Sequence, residues 1–240
     1  MRLKHFIYSF IIASLFFSCE EDTKANFTLK GSIKGLKKGV VYLQKDGKSR
    51  IINLDSVVIK GQSEFTLQTN IKEPILLYLK LDKNDANEYF IPFFADKGIT
   101  ELKTSLKNFS VDAKIIGSRQ HVVLEEYLNL MSKFKDKNLD LIKANFEAAK
   151  TNDLTTSDSL KKQADRLVKL KYASTINFAL NNNDSEVAPY LALYEIPNTN
   201  VKFLDSIYEN LTEDIKTSYY GKKLGKALKD FEEAQNNLEN

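Results

Sequence analysis

From Asn26 to about Ile116 the chain alternates short apolar runs with polar residues and glycines. Phe27–Leu29 with Ile33, Val40–Leu43, Ile51–Ile52 through Val57–Ile59, Phe65–Leu67 and Ile75–Leu79 all have strand length, and Gly31, Gly35, Gly39, Gly47 and Gly61 punctuate them. Tyr89 to Phe94 is apolar at consecutive positions, which predicts a strand covered on both faces, by a second sheet on one side and helices on the other. Ile99, Leu102 and Val111–Ile116 close the set. About eight strands at this spacing predict an antiparallel sandwich or open barrel.

Beyond Gly117 the period changes. Leu124, Leu128, Met131, Phe134, Ile142 and Phe146 recur at helical spacing, and Leu160, Ala164, Leu167, Tyr172, Ile176 and Ala179 continue the pattern. Asn181–Ser185 interrupts it, with Asp184 or Ser185 placed to cap the next helix. Pro189 sits early in that helix and Pro197 ends it. Val201–Leu211 and Ile215–Leu238 read as two further amphipathic helices. The expected fold class is α+β, with an antiparallel β-sandwich-like domain over residues 26–116 followed by a helical domain over 117–240. No Pro- or Ser-rich linker separates them, so the two are expected to pack together.

The N-terminus carries an address. Arg2 and Lys4 precede an apolar run from Phe6 to Phe17, and Ser18 stands before Cys19. The run is shorter than the ~20 residues a spanning helix needs and reads as an export signal over residues 1–18. A small residue before a lone cysteine resembles a bacterial lipoprotein signal, in which Cys19 would be acylated and become the new N-terminus. Phe16 and Phe17 depart from the usual Leu and Ala or Ser. An ordinary secretory signal with a free thiol, or an uncut anchor, remain the alternatives. Acylation at about 0.8 kcal/mol per buried CH₂ would make membrane lipid a partner through Cys19. Residues 19–25, with Glu20, Glu21 and Asp22, read as an acidic tether or a sorting label. The expected location is the bacterial cell envelope, lipid-anchored at the outer membrane, with the face left open.

Charge and composition then narrow the chemistry. Loss of Arg2 and Lys4 with the signal takes two from the 35 basic residues against 32 acidic ones, a balance of +1 that gives no electrostatic footprint for nucleic acid. One cysteine excludes an internal disulfide framework, a CxxC centre and a Cys-rich zinc site. His121 is the only histidine beyond the signal, and no GxSxG or HExxH motif accompanies it. It reads as a packed or solvated residue at the domain junction. Glu125–Glu126 and Glu232–Glu233 are adjacent pairs on solvated helix faces. Gly221–Ala227 has the wrong spacing for a phosphate loop and lacks its hydroxyl, and Tyr220–Gly221 reads as a turn. Asp82–Glu88 lacks the alternation of a calcium loop and reads as a solvated connection. The expected catalytic, cofactor and metal residues are none. Tyr89–Phe94 and Tyr219–Tyr220 are the minority candidates for a peptide or glycan groove at the junction.

Phe27-x-Leu29-x-Gly31-x-Ile33 and Gly39–Leu43, behind such a signal, resemble the opening of the domain-of-unknown-function family 4369. Ile116-Gly117-Ser118 with Leu124–Tyr127, Asn183-x-Ser185 through Leu191, and Ser218–Gly221 resemble its helical motifs, so the resemblance covers most of the mature chain. The resemblance implies a β-domain followed by helices and, in many relatives, a thioredoxin-like disulfide-interchange domain. No Trp and no second Cys occur in the sequence, so that redox chemistry is expected to reach no residue here. Asp55-Ser56-Val57, Asp158-Ser159-Leu160 and Asp205-Ser206-Ile207 resemble an envelope O-glycosylation acceptor. The function expected is a non-catalytic binding or interaction module with an envelope protein partner. The alternative is an accessory to an envelope thioredoxin-like thiol–disulfide oxidoreductase.

Overall fold

A computed structural model describes residues 25–47 and 49–238. Eight strands come first: β1 (Phe27–Lys34), β2 (Lys38–Asp46), β3 (Ile51–Lys60), β4 (Glu64–Thr69), β5 (Ile75–Asp82), β6 (Tyr89–Ala95), β7 (Gly98–Ser105) and β8 (Lys114–Ile116). They form two four-stranded sheets, ordered β4-β1-β7-β8 and β3-β2-β5-β6. Every pairing is antiparallel except β1 with β7, which run parallel with Phe27 opposite Gly98. The sequence expectation of a wholly antiparallel β-part therefore needs this one amendment. Intervening strands carry the chain from β1 to β7, so no helical crossover is needed between them.

Alternation along the strands builds the core between the sheets. Phe27, Leu29, Ile33 and Leu102 from one sheet meet Val41, Leu43, Leu77, Leu79 and Phe93 from the other. The rings of Phe27 and Phe93 lie 6.4 Å apart. Odd positions of β5 point into this core, while Leu76 emerges on the opposite face. In β6, Phe93 points inward and Phe94 outward, both fully buried.

Gly117, at φ +102°, turns the chain from β8 into the helices beneath the Ile99 carbonyl. The helices are α1 (Arg119–Lys150), α2 (Leu154–Asn181), α3 (Val187–Tyr194), α4 (Val201–Asn210), α5 (Glu213–Lys216) and α6 (Tyr219–Leu238). Ser118 caps α1 by accepting from the His121 N–H at 2.9 Å, and Asp153 caps α2 by accepting from the Thr156 N–H at 3.0 Å. Of the two residues expected to cap α3, Ser185 accepts from the Val187 N–H, whereas Asp184 pairs with Arg119 at 2.6 Å. The expected single helix from Ile215 onward is broken at Thr217–Ser218. The Ser218 hydroxyl takes the Ile215 carbonyl at 2.7 Å and accepts from the Gly221 N–H. Gly221 is helical rather than in a turn, and a glycine is needed there because a Cβ would overlap the Ile215 carbonyl oxygen.

Two further cores complete the molecule. One lies within the bundle, from Ile176 and Ala179 through Ala192, Leu204 and Ile207 to Leu224. The other joins the halves, where Leu76 and Phe94 meet Leu124, Tyr127, Met131, Leu191 and Tyr220. The coverage expected for Tyr89–Phe94 is thus met at Phe93 by the facing sheet and at Phe94 by the helices. No described helix is long and apolar enough to cross a membrane.

Candidate functional site

Polar residues far apart in sequence converge at the junction. Gln120, in the first turn of α1, accepts through Oε1 from the Ser185 hydroxyl and from the Glu186 N–H at 3.0 Å. Asp96, between β6 and β7, accepts from the Gln120 N–H at 3.2 Å. Glu73, before β5, accepts from the Tyr219 N–H at 3.0 Å at the start of α6. Carboxylates thus sit at the positive ends of α1 and α6, where the helix dipoles favour them. Glu186 is 3% exposed and accepts from the Ser218 hydroxyl at 2.8 Å. Burial pushes its carboxyl up to about 7, with the Ser218 hydrogen bond opposing and the charges of Glu73 and Asp96 adding to the rise.

His121 is packed in this junction, as expected, with its Nδ1 buried and without a hydrogen-bond partner among the described residues. Burial holds its imidazole below the ordinary range, against the pull of Glu125. Among the described residues no group of three His, Cys, Asp or Glu side chains is placed to hold a metal ion. In the Asp82–Glu88 loop, Asp82 and Asp85 accept instead from the Asn84 and Asn87 N–H groups. Gly221–Ala227 lies inside α6. Tyr220 is an anchor, its hydroxyl accepting from the Leu76 N–H at 3.2 Å, while Tyr219 remains 41% exposed. Ser56 and Ser159 are exposed and Ser206 is half-buried within α4. Cys19, the signal and most of the acidic tether lie outside the described residues.

The other candidate lies on the hairpin that α1 and α2 make. Tyr127 and Thr175 hydroxyls meet at 3.1 Å. The Thr175 hydroxyl also takes the Lys171 carbonyl at 3.0 Å, so it accepts from Tyr127. Lys171 pairs with Glu195 at 3.6 Å. Above this polar floor opens a cavity of about 270 Å³ lined by Leu128, Met131, Phe134, Lys135 and Val168. A second hollow of about 310 Å³ meets it at Asn138 and runs along Ile142, Asp158, Leu160 and Lys161. Together they form a groove on one face of the hairpin. Leu128, Leu139, Ile142, Phe146, Leu154 and Val168 are 45–79% exposed on or beside it. An apolar groove with a few convergent polar groups is the usual form of a binding site, and a two-helix groove is the usual receptor for a third helix.

The sequence periodicity found the α1 residues of this face as one helical stripe, without separating its buried members from its exposed ones. The structure buries Leu124 and Met131 but leaves Leu128, Ile142 and Phe146 in solvent. The buried Glu186 escaped detection. Its one local signal is an acidic residue directly before the apolar run Val187–Leu191.

A family model described as a domain of unknown function (DUF4369) matches residues 27–124. The match spans all eight strands and the start of α1. The helical motifs from Asn183 and from Ser218 lie beyond it. No curated protein and no solved structure matches the chain.

Proposed function

We propose that the protein, whose residues 27–124 match the model of a domain of unknown function (DUF4369), is a non-catalytic interaction module tethered to the bacterial cell envelope. The hairpin face carries this reading. Six large apolar side chains stand in solvent there beside a preformed cavity, a cost a monomer has no reason to bear unless another surface covers it. The buried polar groups of the junction serve helix ends and join the two halves, which supports a structural role for them. The signal-like segment before Cys19 supports the tether.

A photo-crosslinking residue at Leu139, compared with one at exposed Lys30 on β1, tests the interaction surface in cells. A discrete adduct from position 139 and none from position 30 is expected; equal labelling, or none from either, overturns the reading. For the tether, Cys19→Ser is expected to move the protein from the detergent phase to the aqueous phase on detergent partitioning. Retention in the detergent phase would remove acylation as the anchor. A second reading, service to a thioredoxin-like enzyme, draws on the family resemblance alone, and the adduct's partner would then carry the CxxC pair absent from this sequence.

A further inference from the structure

We propose that the hairpin face docks onto a second copy of this chain, α1 of each copy lying against α2 of the other in a four-helix arrangement. The inference rests on the reading of that face as the interaction surface and names its occupant.

The register of the hairpin is fixed by its own hydrogen bonds. The Ser157 hydroxyl donates to Asn145 Oδ1 at 2.9 Å and Tyr127 meets Thr175 at 3.1 Å, so these pairs stand at equal heights. Counting along both helices from those pairs places Lys143 level with Ser159 and Lys135 level with Leu167. The exposed stripe of α1 then reads Leu128, Lys135, Leu139, Ile142, Phe146, with Lys143 on its flank, all at spacings of three, four or seven. The matching stripe of α2 reads Leu154, Asp158, Lys161, Asp165, Val168. The α1 edge of the groove therefore presents lysines, and the α2 edge presents two carboxylates with Lys161 between them.

Lys135, Lys143, Asp158 and Asp165 are exposed and make no ion pair among the described residues. Lys161 stands between the two carboxylates, and Lys162 and Lys169 stand one turn beyond each, yet among the described residues none of the three is within ion-pair distance of either carboxylate. A twofold axis parallel to the helices sets α1 opposite α2 of the second copy at the same height. Lys143 then approaches Asp158 of the second copy and Lys135 approaches its Asp165. Leu139, Ile142 and Phe146 cover the seam toward Leu154 and Val168 of that copy. The alternative twofold axis, across the helices, lays α1 on α1 and sets lysine against lysine.

Size agrees with this. Leu128 to Phe146 spans about 27 Å at 1.5 Å per residue, and two helices side by side are about 20 Å wide. That is on the order of 500 Å² in projection, and ridged accessible surface brings it near the ~800 Å² per partner of a standard interface.

Sedimentation of residues 19–240 carrying Cys19→Ser tests the proposal, since all three cores fall between Phe27 and Leu228. A dimer is expected in the micromolar range. Lys135→Glu with Lys143→Glu, and separately Asp158→Lys with Asp165→Lys, should each weaken self-association about 100-fold. Their equimolar mixture should restore a dimer. Unchanged circular dichroism confirms that each variant folds. A monomer at about 100 μM, or charge reversals without effect, overturns the second-copy inference. Weakening without rescue in the mixture overturns the α1-on-α2 geometry. A position-139 adduct with a different protein, alongside a monomer in solution, sinks this inference and leaves the interaction-surface reading standing.

Discussion

Ser218 shows what burial does to Glu186. Its hydroxyl has one proton and two acceptors in reach, Glu186 Oε2 and the Ile215 carbonyl. A protonated Glu186 donates to the Ser218 oxygen and frees that proton for Ile215, whereas the carboxylate competes with Ile215 for it; the Ser218 and Tyr220 hydrogen bonds favour the carboxylate, and burial outweighs them. The ordinary carboxyl value is 4.5 and the folded one is about 7. The folded protein thus binds this proton more tightly than the unfolded chain. The associated stability is complete below about pH 4.5 and is lost as the pH rises through 7, reaching about 2–3 kcal/mol by pH 8. Glu186→Gln keeps both the donor and the acceptor. It should match the wild type in urea denaturation at pH 5 and exceed it by roughly 2 kcal/mol at pH 8. His121 acts in the opposite direction, since its lowered value costs stability as the pH falls, and it is common to both proteins. An equal difference at both pH values would show that the Glu186 side chain is ionised throughout.

At the scale of elements, α1 is one helix with two environments. Leu124 is 6% exposed in the junction core, whereas Phe146 is 60% exposed about six turns further along the same stripe. Leu124→Ala should cost about 2–4 kcal/mol, with a cavity left among Phe94, Tyr127 and Leu191. Phe146→Ser should change stability by less than about 0.5 kcal/mol in dilute solution, where no second copy covers it. Thermal melts of the two variants at low concentration make the comparison, and a large loss for Phe146→Ser would place that residue in a core. This contrast also explains what the sequence could disclose. Periodicity marks which residues share a helix face but not how far the neighbouring body extends, so Leu124 and Phe146 looked alike. The strands were readable because alternation and glycines are local. The break at Thr151–Asp153 was not, because the two helices on either side face each other and continue one apolar pattern. The burial of Glu186 depends on contacts between residues 32 to 66 positions apart, which no local pattern records, whereas the Ser218 break is made locally, through hydrogen bonds to Ile215 and Gly221. The parallel pairing of β1 with β7 is equally non-local.

For the whole molecule, the junction decides whether two cores behave as one. Phe93 and Phe94 are neighbours on β6 and fully buried, yet they serve different bodies. Phe93 packs in the sandwich against Phe27. Phe94 meets Tyr190 and Tyr220 edge-on at 5.3 and 5.7 Å, and with Leu76 is the main apolar contribution of the sheet to the shared core. Aromatic contacts of this kind add about 0.5–1.5 kcal/mol each beyond the area they bury. The intact chain should therefore melt in a single calorimetric transition, coupled through Phe94. Phe94→Ala should cost about 3–5 kcal/mol and separate the melt into two transitions, because the sandwich and bundle cores each keep all their own residues. Phe93→Ala should cost a similar amount while the melt stays single, since the junction is untouched. If Phe94→Ala lowers one undivided transition, as Phe93→Ala does, the coupling resides in the polar contacts of Gln120, Glu73 and Glu186 rather than in the aromatic core. The two outcomes differ for the hairpin as well. A sandwich held to the bundle through Phe94 fixes α1 at its base, so the exposed face is presented in one orientation relative to the N-terminal end of β1.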